Sequence, residues 1–584
     1  MQPRFLRRLG LAIQLFNAAL IISCTPDQPA SQPSIRPALP QIATDSYSNI
    51  RPTDYVGPQA CGECHETNYA NWQRHPHSRM NMPANAETVL ADFSGRTVSY
   101  ADQRALFRRE GDDFLVEYFT GNQLNRQFRL TRVIGWRYEQ DYIAVQTHGP
   151  EPADDPIYRE ERQLKFSYSL THQQWLPQSY LEPTEFPGPE YHTDGSLRHN
   201  PFSASNAGFN QRCAYCHNTY PYDLRFYKIR SEEGMLSGFP PGAAATPSIV
   251  QALAKEAGDL SRLQEQGLPL DRLVTIGISC ESCHFGGREH AQNDREIRFV
   301  PTHPLLVDWT PDHRNARNKP AIINAICRQC HHSGARAPDN WPDGSAGVNS
   351  MEASEMDRGA CQGALSCTTC HDTHISGPQA GAPDRADHLA ACVDCHSAYQ
   401  NPTAAAQHSH HTPEQASCLD CHMPRIVQSF AVYNRSHRIS SPNEPAILAT
   451  GMPNACNLCH LDQTLLWTRD ALKENWGNAP QLPPALKNYF GRDLERPAGA
   501  AWLDHPSPLL RTVAAGAYAR SPLGKAALPT IIARLNEPNA YARMRFLMSV
   551  EKIIGREISN EEYTLTGSTI IRQKQIEHLL KQYH

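Results

Sequence analysis

One short pattern, Cys-x-x-Cys-His, occurs eight times and takes up 16 of the 18 cysteines. Histidine follows the second cysteine in every copy, although only 27 of the 584 residues are histidine, so chance does not account for it. The copies are Cys61/Cys64/His65, Cys213/Cys216/His217, Cys280/Cys283/His284, Cys327/Cys330/His331, Cys367/Cys370/His371, Cys392/Cys395/His396, Cys418/Cys421/His422 and Cys456/Cys459/His460.

This pattern is the attachment signature of c-type haem. Two thiols three residues apart on one helical turn add to the two vinyl groups, and the adjacent imidazole binds the iron as its proximal ligand. Zinc ribbons also use Cys-x-x-Cys but do not require the adjacent histidine. A disulfide framework leaves the histidines unexplained. The sequence therefore predicts eight covalent haem c groups, with Cys361 left over as an idle or buried thiol.

Haem groups supply apolar surface of their own, which suits a chain with only 40% hydrophobic residues. The expected fold is mostly α with long loops: a haem-packed core, a β-rich insertion and a C-terminal α-helical domain of HEAT-like repeats or a plain bundle. Strands are predicted from Phe114–Phe119 and from the alternation in Gln127–Thr131. The expected domains are a signal peptide (1–23), a tether (24–54), a first haem module (55–95), a β-rich insertion (96–200), a multihaem domain with haems 2–8 (201–461) and a helical tail (462–584).

The N-terminus has the features of an export signal. Arg4, Arg7 and Arg8 precede an apolar stretch that ends at Cys24, which resembles a lipobox cysteine. We expect an exported bacterial lipoprotein, anchored through Cys24 on the periplasmic side of a membrane or at the outer membrane. The alternative is an ordinary signal peptide with an incidental cysteine.

The charge pattern bears on partners. Lys plus Arg is 55 against 60 for Asp plus Glu, which does not favour nucleic-acid binding. The sequence contains no run of 18 or more apolar residues, so it predicts no transmembrane helix. Haem propionates add negative charge, so the expected partners are redox proteins with basic surfaces.

Six histidines outside the motifs are candidate distal iron ligands. A histidine three or six residues after a motif cannot easily reach the far side of its own haem, so it is expected to serve a neighbouring one. Surface or propionate-pairing positions are the alternative for each. The candidates are His77, His290, His374, His410, His411 and His437. His505, His578 and His584 are expected to be ordinary surface residues.

Parts of the chain resemble known cytochrome families. Tyr55-Val-Gly-Pro-Gln-Ala-Cys-Gly-Glu-Cys-His65 with Tyr69 and Trp72 resembles cytochrome c-554/c-prime modules. Leu365-Ser-Cys-Thr-Thr-Cys-His-Asp-Thr-His374 and Cys418-Leu-Asp-Cys-His-Met-Pro424 resemble the doubled Cys-x-x-Cys-His domain of multihaem cytochromes. These resemblances imply haem c chemistry more directly than they imply a particular reaction.

Two functions remain open at this point, and no catalytic residue is named. The first is an electron-transfer carrier or conduit in anaerobic or respiratory electron transport, in which every iron has two protein ligands. The second is a multihaem oxidoreductase with one open haem, acting on nitrite, hydroxylamine or tetrathionate, as the shared haem count with the hydroxylamine oxidoreductase and octahaem tetrathionate reductase families implies. The absence of Cys-x-x-Cys-Lys departs from the nitrite-reductase pattern. An interaction or docking protein is a minor alternative.

Overall fold

The computed structural model describes residues 47–100, 102–177, 193, 200–203, 208–228, 263, 266–304, 320–331, 340–375, 385–429, 432–478, 480–484, 486 and 494–583. The expected signal peptide, Cys24 and most of the tether lie outside these residues, as does His584. Within the described part of the chain, no helix has the length and apolar character needed to cross a membrane.

An eight-stranded antiparallel sheet is the largest element of the N-terminal half. Strands β2 to β8 pair in chain order as a meander, and the short β1 pairs with β5. The strands are β1 (Met82–Pro83), β2 (Ser94–Tyr100), β3 (Gln103–Glu110), β4 (Asp113–Thr120), β5 (Gln123–Ile134), β6 (Glu139–His148), β7 (Arg162–Ser169) and β8 (Gln174–Pro177). Short two-residue strands elsewhere pair Asn218–Thr219 with Thr275–Ile276, and Val427–Gln428 with Tyr433–Asn434.

An aromatic core shows that this sheet curls on itself. Trp175 of β8 stacks on Phe107 of β3, with ring centroids 3.7 Å apart. Phe93 packs edge-to-face against both of these rings and against Phe114 and Tyr142. The last strand therefore closes over the face of the first strands, and their side chains form one core.

The expectation of a mostly α fold is wrong, because this sheet is a major element of the molecule. Eight copies of a helical motif pointed to a helical protein, but each motif needs only about one turn of helix to place its side chains. The intervening chain is free to form strands, and its aromatic and β-branched residues favour them.

The helices up to the last motif are short. Their bounds are Pro58–Gly62, Glu66–Arg74, Phe209–Arg212, Ala214–His217, Glu281–His284, Arg288–Asn293, Pro320–Arg328, Glu352–Met356, Arg385–Cys395, Pro402–Ser409, Cys418–His422 and Pro445–Thr450. Short 3₁₀ segments lie at Pro52–Asp54, Pro76–Arg79, Pro156–Tyr158, Tyr222–Lys228, Leu270–Arg272, Cys367–Thr369, Ser397–Gln400 and Arg534–Asn536.

The C-terminal part is helical, with an apolar core that includes the buried Trp502. The bounds of its helices are Leu465–Trp476, Ala498–Leu503, Pro508–Tyr518, Gly524–Ala533, Ala540–Ile554 and Thr569–Tyr583. The core continues into Leu461 and Leu465, next to the last motif, and the Trp502 indole donates to the Gly451 carbonyl at 2.7 Å. The tail thus packs directly against the segment that carries the eighth motif.

The sheet supports the second motif in a similar way. Ile134 of β5 and Ile143 of β6 share a buried cluster with Phe209 and Tyr220, on either side of that motif. The pairing of β1 with β5 also fixes the chain just before β1, so that the Met80 carbonyl accepts a hydrogen bond from His217 Nδ1 at 2.9 Å.

Candidate haem sites

Every Cys-x-x-Cys-His motif forms a tight turn. In seven motifs the histidine N–H donates to the carbonyl of the first cysteine at 2.9–3.1 Å, and the remaining motif is the helix Cys418–His422. This turn places both thiols and the imidazole of a motif close together, as a c-type haem requires.

Six of the eight motif histidines face a second imidazole at nearly the same distance. The ring centroids are 6.0–6.4 Å apart in all six pairs, although the pairs come from different parts of the chain. The pairs are His65 with His290 (6.2 Å), His331 with His77 (6.4 Å), His284 with His374 (6.1 Å), His371 with His437 (6.2 Å), His422 with His408 (6.3 Å) and His460 with His411 (6.0 Å).

This spacing fits two axial imidazoles on one metal ion. A metal–imidazole bond is about 2 Å long and the ring nitrogen lies about 1 Å from its centroid, so two rings in trans have centroids about 6 Å apart. Van der Waals stacking of imidazoles would bring the rings closer. The residues present therefore fit haem iron with two histidine ligands at these six positions.

The facing histidine comes from another segment in each pair. His290 lies six residues after His284 yet faces His65. His374 lies three residues after His371 yet faces His284. Each of these histidines thus faces the histidine of a motif other than the one it follows in the sequence.

The fifth motif has two histidines within this distance. His371 lies 6.2 Å from His437, with ring planes at 27°, and 6.1 Å from His388, with ring planes at 71°. An iron with His371 as proximal ligand has one opposite position, so these two histidines are alternative ligands.

One sequence candidate lies elsewhere. His410 packs its ring on Trp476 and its Nε2 lies 3.1 Å from the Asn475 carbonyl, so it does not face a motif histidine. His408, three residues before His411, faces His422 instead. His408 and His388 were not among the sequence candidates. The cluster Gln407-His-Ser-His-His411 was the available signal for His408, but it does not show which ring points inward.

Two motif histidines differ from the rest. Among the described residues, no imidazole ring packs against His217 or His396. His217 is half-buried, and next to it Arg225 is only 5% exposed and lies over the Tyr215 ring at 4.7 Å. The Nη1 atom of Arg225 has no hydrogen-bond partner in the described part of the chain.

Several histidine rings of the candidate sites are oriented through Nδ1 by a backbone carbonyl. His217 is held by Met80 at 2.9 Å and His422 by Ser440 at 2.8 Å. On the distal side, His290 is held by Arg295 at 2.9 Å. Such partners fix the ring in an orientation that leaves Nε2 available to bind an iron. His331 is different, because its Nδ1 lies 3.2 Å from a carboxylate oxygen of Glu352.

The thiols show which motifs are neighbours. Thiols of different motifs lie beside each other in four pairs: Cys61 with Cys280, Cys216 with Cys330, Cys327 with Cys367, and Cys392 with Cys418. Three further pairs are electrostatic neighbours: Cys283 with Cys330, Cys370 with Cys392, and Cys421 with Cys456. All eight motifs therefore belong to one connected series.

Three of the attachment thiols that the sequence predicts, Cys64, Cys395 and Cys459, have exposed side chains. Cys459 still neighbours Cys421, and Cys395 neighbours Cys361, whereas Cys64 belongs to none of the thiol pairs described above.

The local backbone explains the exposure of Cys64. The helix Pro58–Gly62 ends two residues before it and the helix Glu66–Arg74 begins two residues after it, so Cys64 lies in a surface turn between them. Its N–H donates to the Cys61 carbonyl at 3.3 Å, as the motif requires. The turn of the first motif is therefore present but the protein does not enclose its second thiol, and the bond from Cys64 to haem stays a prediction.

Two other features concern ligands and thiols. In the described residues, His, Cys, Asp and Glu side chains form no cluster of three or more suited to a single metal ion. Cys361 is half-buried near Cys395 of the sixth motif, and burial raises the pKa of its thiol.

Comparisons with known proteins give distant matches. Residues 60–96 match the family "Cytochrome c554 and c-prime". The dissimilatory sulfite reductase MccA of Wolinella succinogenes is 21% identical over 402 residues, which cover 64% of this chain and 51% of MccA. The chain thus spans about half the length of this curated relative.

A solved structure is also similar to the chain. The outer cell wall cytochrome OcwA gives a TM-score of 0.37 at 14% identity, covering 91% of this chain and 99% of OcwA. The motifs, the imidazole pairs and the sequence matches together support a multihaem c-type cytochrome with covalently bound haem c.

Proposed function

We propose that this protein is an exported octahaem cytochrome that conducts electrons between redox partners. The observation that carries the proposal is the set of six imidazole pairs at 6.0–6.4 Å. Iron with two histidine ligands has no position open for a substrate and changes little in geometry between oxidation states, which suits electron transfer. The protein supplies the two ligands, their orientation and the surrounding charge.

The neighbouring thiols support a continuous route. They order the motifs as first, third, fourth, fifth, sixth, seventh and eighth, with the second joined to the fourth through Cys216 and Cys330. Haems attached at neighbouring thiols would lie close enough for electrons to pass in sequence. The second motif would then be a branch rather than a step of the main route.

The haem count tests the octahaem part of this proposal. Intact-mass spectrometry of protein made in a host with haem c maturation should give the mass of eight covalent haems. Replacing Cys367 and Cys370 with Ala should remove one haem and leave seven. Replacing the extra-motif Cys361 with Ala should leave all eight, and a count below eight in the unaltered protein would contradict the proposal.

A second candidate function is the reduction of a small oxyanion at the second motif. His217 has no facing imidazole among the described residues. The buried Arg225 guanidinium beside it contacts the Asn218 carbonyl through Nη2 and the Cys330 thiol, and its Nη1 atom, which has no partner in the described part of the chain, could donate to an anion. The similar protein MccA is named a sulfite reductase, which favours sulfite alongside nitrite, hydroxylamine and tetrathionate as compounds to test.

Ligand binding tests this candidate. The ferric protein should contain high-spin haem, and sulfite or nitrite should shift its Soret absorption. In Arg225→Gln the shift should need more anion, whereas the exposed control Arg109→Gln should respond as the unaltered protein does. If Arg225→Gln alters haem potentials but not the anion response, Arg225 pairs with a propionate instead. Absence of high-spin haem would remove this candidate.

We also propose a lipid anchor at Cys24. The apolar stretch that ends at Cys24 supports the anchor. Cys24→Ala should release the protein from the membrane fraction, whereas Cys361→Ala should not. Retention of Cys24→Ala in membranes would contradict the anchor.

A further inference from the structure

We propose that Glu352 is a positioning residue that holds the haem of the fourth motif at a lower reduction potential than its neighbours. The inference rests on the proposed function, because it concerns one haem of the electron route. It names the residue that regulates the potential and the haem on which that residue acts.

The contact sets one motif apart. Glu352 Oε2 lies 3.2 Å from His331 Nδ1, on the side of the ring that faces away from the metal position. The corresponding Nδ1 atoms of His217 and His422 meet neutral backbone carbonyls. The proximal ligand of the fourth motif, His331, thus contacts a charged carboxylate, whereas His217 and His422 contact the dipole of a peptide carbonyl.

The surrounding chain holds Glu352 in place. Its second oxygen, Oε1, accepts a hydrogen bond from the Ser350 N–H at 3.0 Å. The next residue, Ala353, donates its N–H to the His331 carbonyl at 3.3 Å. The segment therefore contacts both the backbone and the ring of His331. The Glu352 carboxylate cannot move away from the ring without breaking its hydrogen bond with Ser350.

A carboxylate acceptor changes the ligand itself. It draws the Nδ1 proton toward itself, which makes the imidazole a stronger electron donor to the metal. Its negative charge also favours the ferric state, which carries one more positive charge than the ferrous state. Both effects lower the reduction potential, and a carbonyl acceptor produces them more weakly.

The fourth motif lies where the main series of motifs meets the branch to the second motif, so the potential of its haem would affect both routes. The thiols of the fourth motif neighbour those of the second, third and fifth motifs, through Cys330 with Cys216 and Cys283, and through Cys327 with Cys367. A low-potential haem at this junction does not retain an electron. It would pass electrons on to the haem of the second motif or to the haem of the fifth motif. Electrons moving along either route would therefore not accumulate on the haem of the fourth motif.

Another carboxylate nearby has a different role. Glu355 is buried and accepts hydrogen bonds from the Ser436 hydroxyl at 2.6 Å, the His437 N–H at 3.0 Å and the Ala346 N–H at 2.9 Å. Its oxygens are thus committed to holding the loop of His437. This leaves Glu352 as the carboxylate that acts on the proximal ligand.

The test is a potentiometric titration of the haem-loaded protein, followed by electron paramagnetic resonance so that individual haems are resolved. Glu352→Gln keeps an oxygen acceptor for Ser350 but removes the charge. One haem should become easier to reduce by at least tenfold, which is about 59 mV for one electron. Glu352→Asp, which keeps the charge, should shift that haem less. Glu577→Gln, an exposed carboxylate of the helical tail, should shift none.

The outcomes are separable from failure of the proposed function. A haem count of eight with one shifted potential supports the inference. An unchanged set of potentials in Glu352→Gln, or an equal shift of all haems, overturns it while leaving the electron-transfer function intact. If Glu352→Gln loses a haem, the test rests on Glu352→Asp, which keeps the carboxylate. Full loss of the low potential in Glu352→Asp would also overturn the inference.

Discussion

Two adjacent histidines, His410 and His411, show how finely the chain selects its candidate ligands. His411 faces His460 with ring centroids 6.0 Å apart, and its Nδ1 lies 2.7 Å from the Ser409 carbonyl. His410 has a φ of +55°, in the left-handed region, which turns its ring toward Trp476 instead. The backbone at the end of one helix thus decides which ring faces a motif.

These two residues form a matched pair for mutagenesis. His411→Ala should convert one low-spin haem to a high-spin form, because the eighth iron would lose its distal ligand. His410→Ala should leave the spin state unchanged, since its ring contacts Trp476 and Asn475 rather than a motif histidine. Low-temperature electron paramagnetic resonance of both ferric variants checks this. A spectral change in the His410 variant without one in the His411 variant would reverse the assignment.

The haem attachment residues are predicted from the sequence alone, because the motif is local. The histidines that face the motif histidines depend on tertiary structure, so the sequence could indicate only some of them. Spacing alone indicated that His290 and His374 serve neighbouring motifs, and the structure places them opposite His65 and His284. His408 was missed, because three nearby histidines compete and only the fold distinguishes them.

At the scale of elements, the sheet and the tail meet through buried polar groups. His172, between β7 and β8, lies 3.4 Å from Glu551 of the helix Ala540–Ile554. Burial raises the pKa of Glu551 to about 7 and lowers that of His172, so both groups favour their neutral forms. Below about pH 7 the contact therefore joins two neutral groups and is not an ion pair.

The raised pKa of Glu551 gives a pH-dependent stability. The unfolded carboxyl ionises near its ordinary pKa of 4.5 and the folded one near 7, so folding takes up a proton between these values. The stability that Glu551 contributes is complete below pH 4.5 and is lost as the pH rises through 7. The loss amounts to up to about 3 kcal/mol.

Glu551→Gln should remove this loss, because glutamine does not ionise and its oxygen still accepts the Ile558 N–H. Relative to the variant, the unaltered protein should become less stable between pH 5 and pH 8. Denaturant unfolding midpoints at both pH values measure the difference. The exposed Glu577→Gln serves as the control, and an equal pH dependence in both variants would contradict the assignment.

A buried ion pair joins the tail helix Pro508–Tyr518 to the segment just before the helix Ala540–Ile554. Arg511 binds Glu537 through Nε at 2.8 Å and through Nη2 at 2.5 Å, and both side chains are nearly inaccessible. Glu537→Ala would leave the guanidinium buried without its counter-charge, at a cost of about 3–5 kcal/mol. Thermal unfolding should show this loss, whereas the exposed Glu557→Ala should cost little. Equal costs in the two variants would count against the pair.

The strands were predictable where the pattern is clean, but their extent was not. Phe114–Phe119 lies in β4 and Gln127–Thr131 lies in β5, as their composition and alternation indicated. The sheet continues through segments such as β6 that carry no simple alternation, because packing on both faces buries most of their residues. The mostly α expectation failed for this reason.

At the scale of the whole molecule, neighbouring motifs form one series with a branch. The thiol contacts run from Cys61 and Cys280 through the fourth motif to Cys421 and Cys456. This order departs from chain order, since the first motif neighbours the third and the second joins the fourth. Spacing in the sequence could not reveal it, because long segments separate motifs that meet in space.

The most direct test of the account counts spin states in the fully haem-loaded ferric protein by low-temperature electron paramagnetic resonance. The six imidazole pairs predict at least six low-spin haems with two histidine ligands. At most two haems, on His217 and His396, should be high-spin. Three or more high-spin haems would contradict the account, because at least one imidazole pair would then not bind an iron.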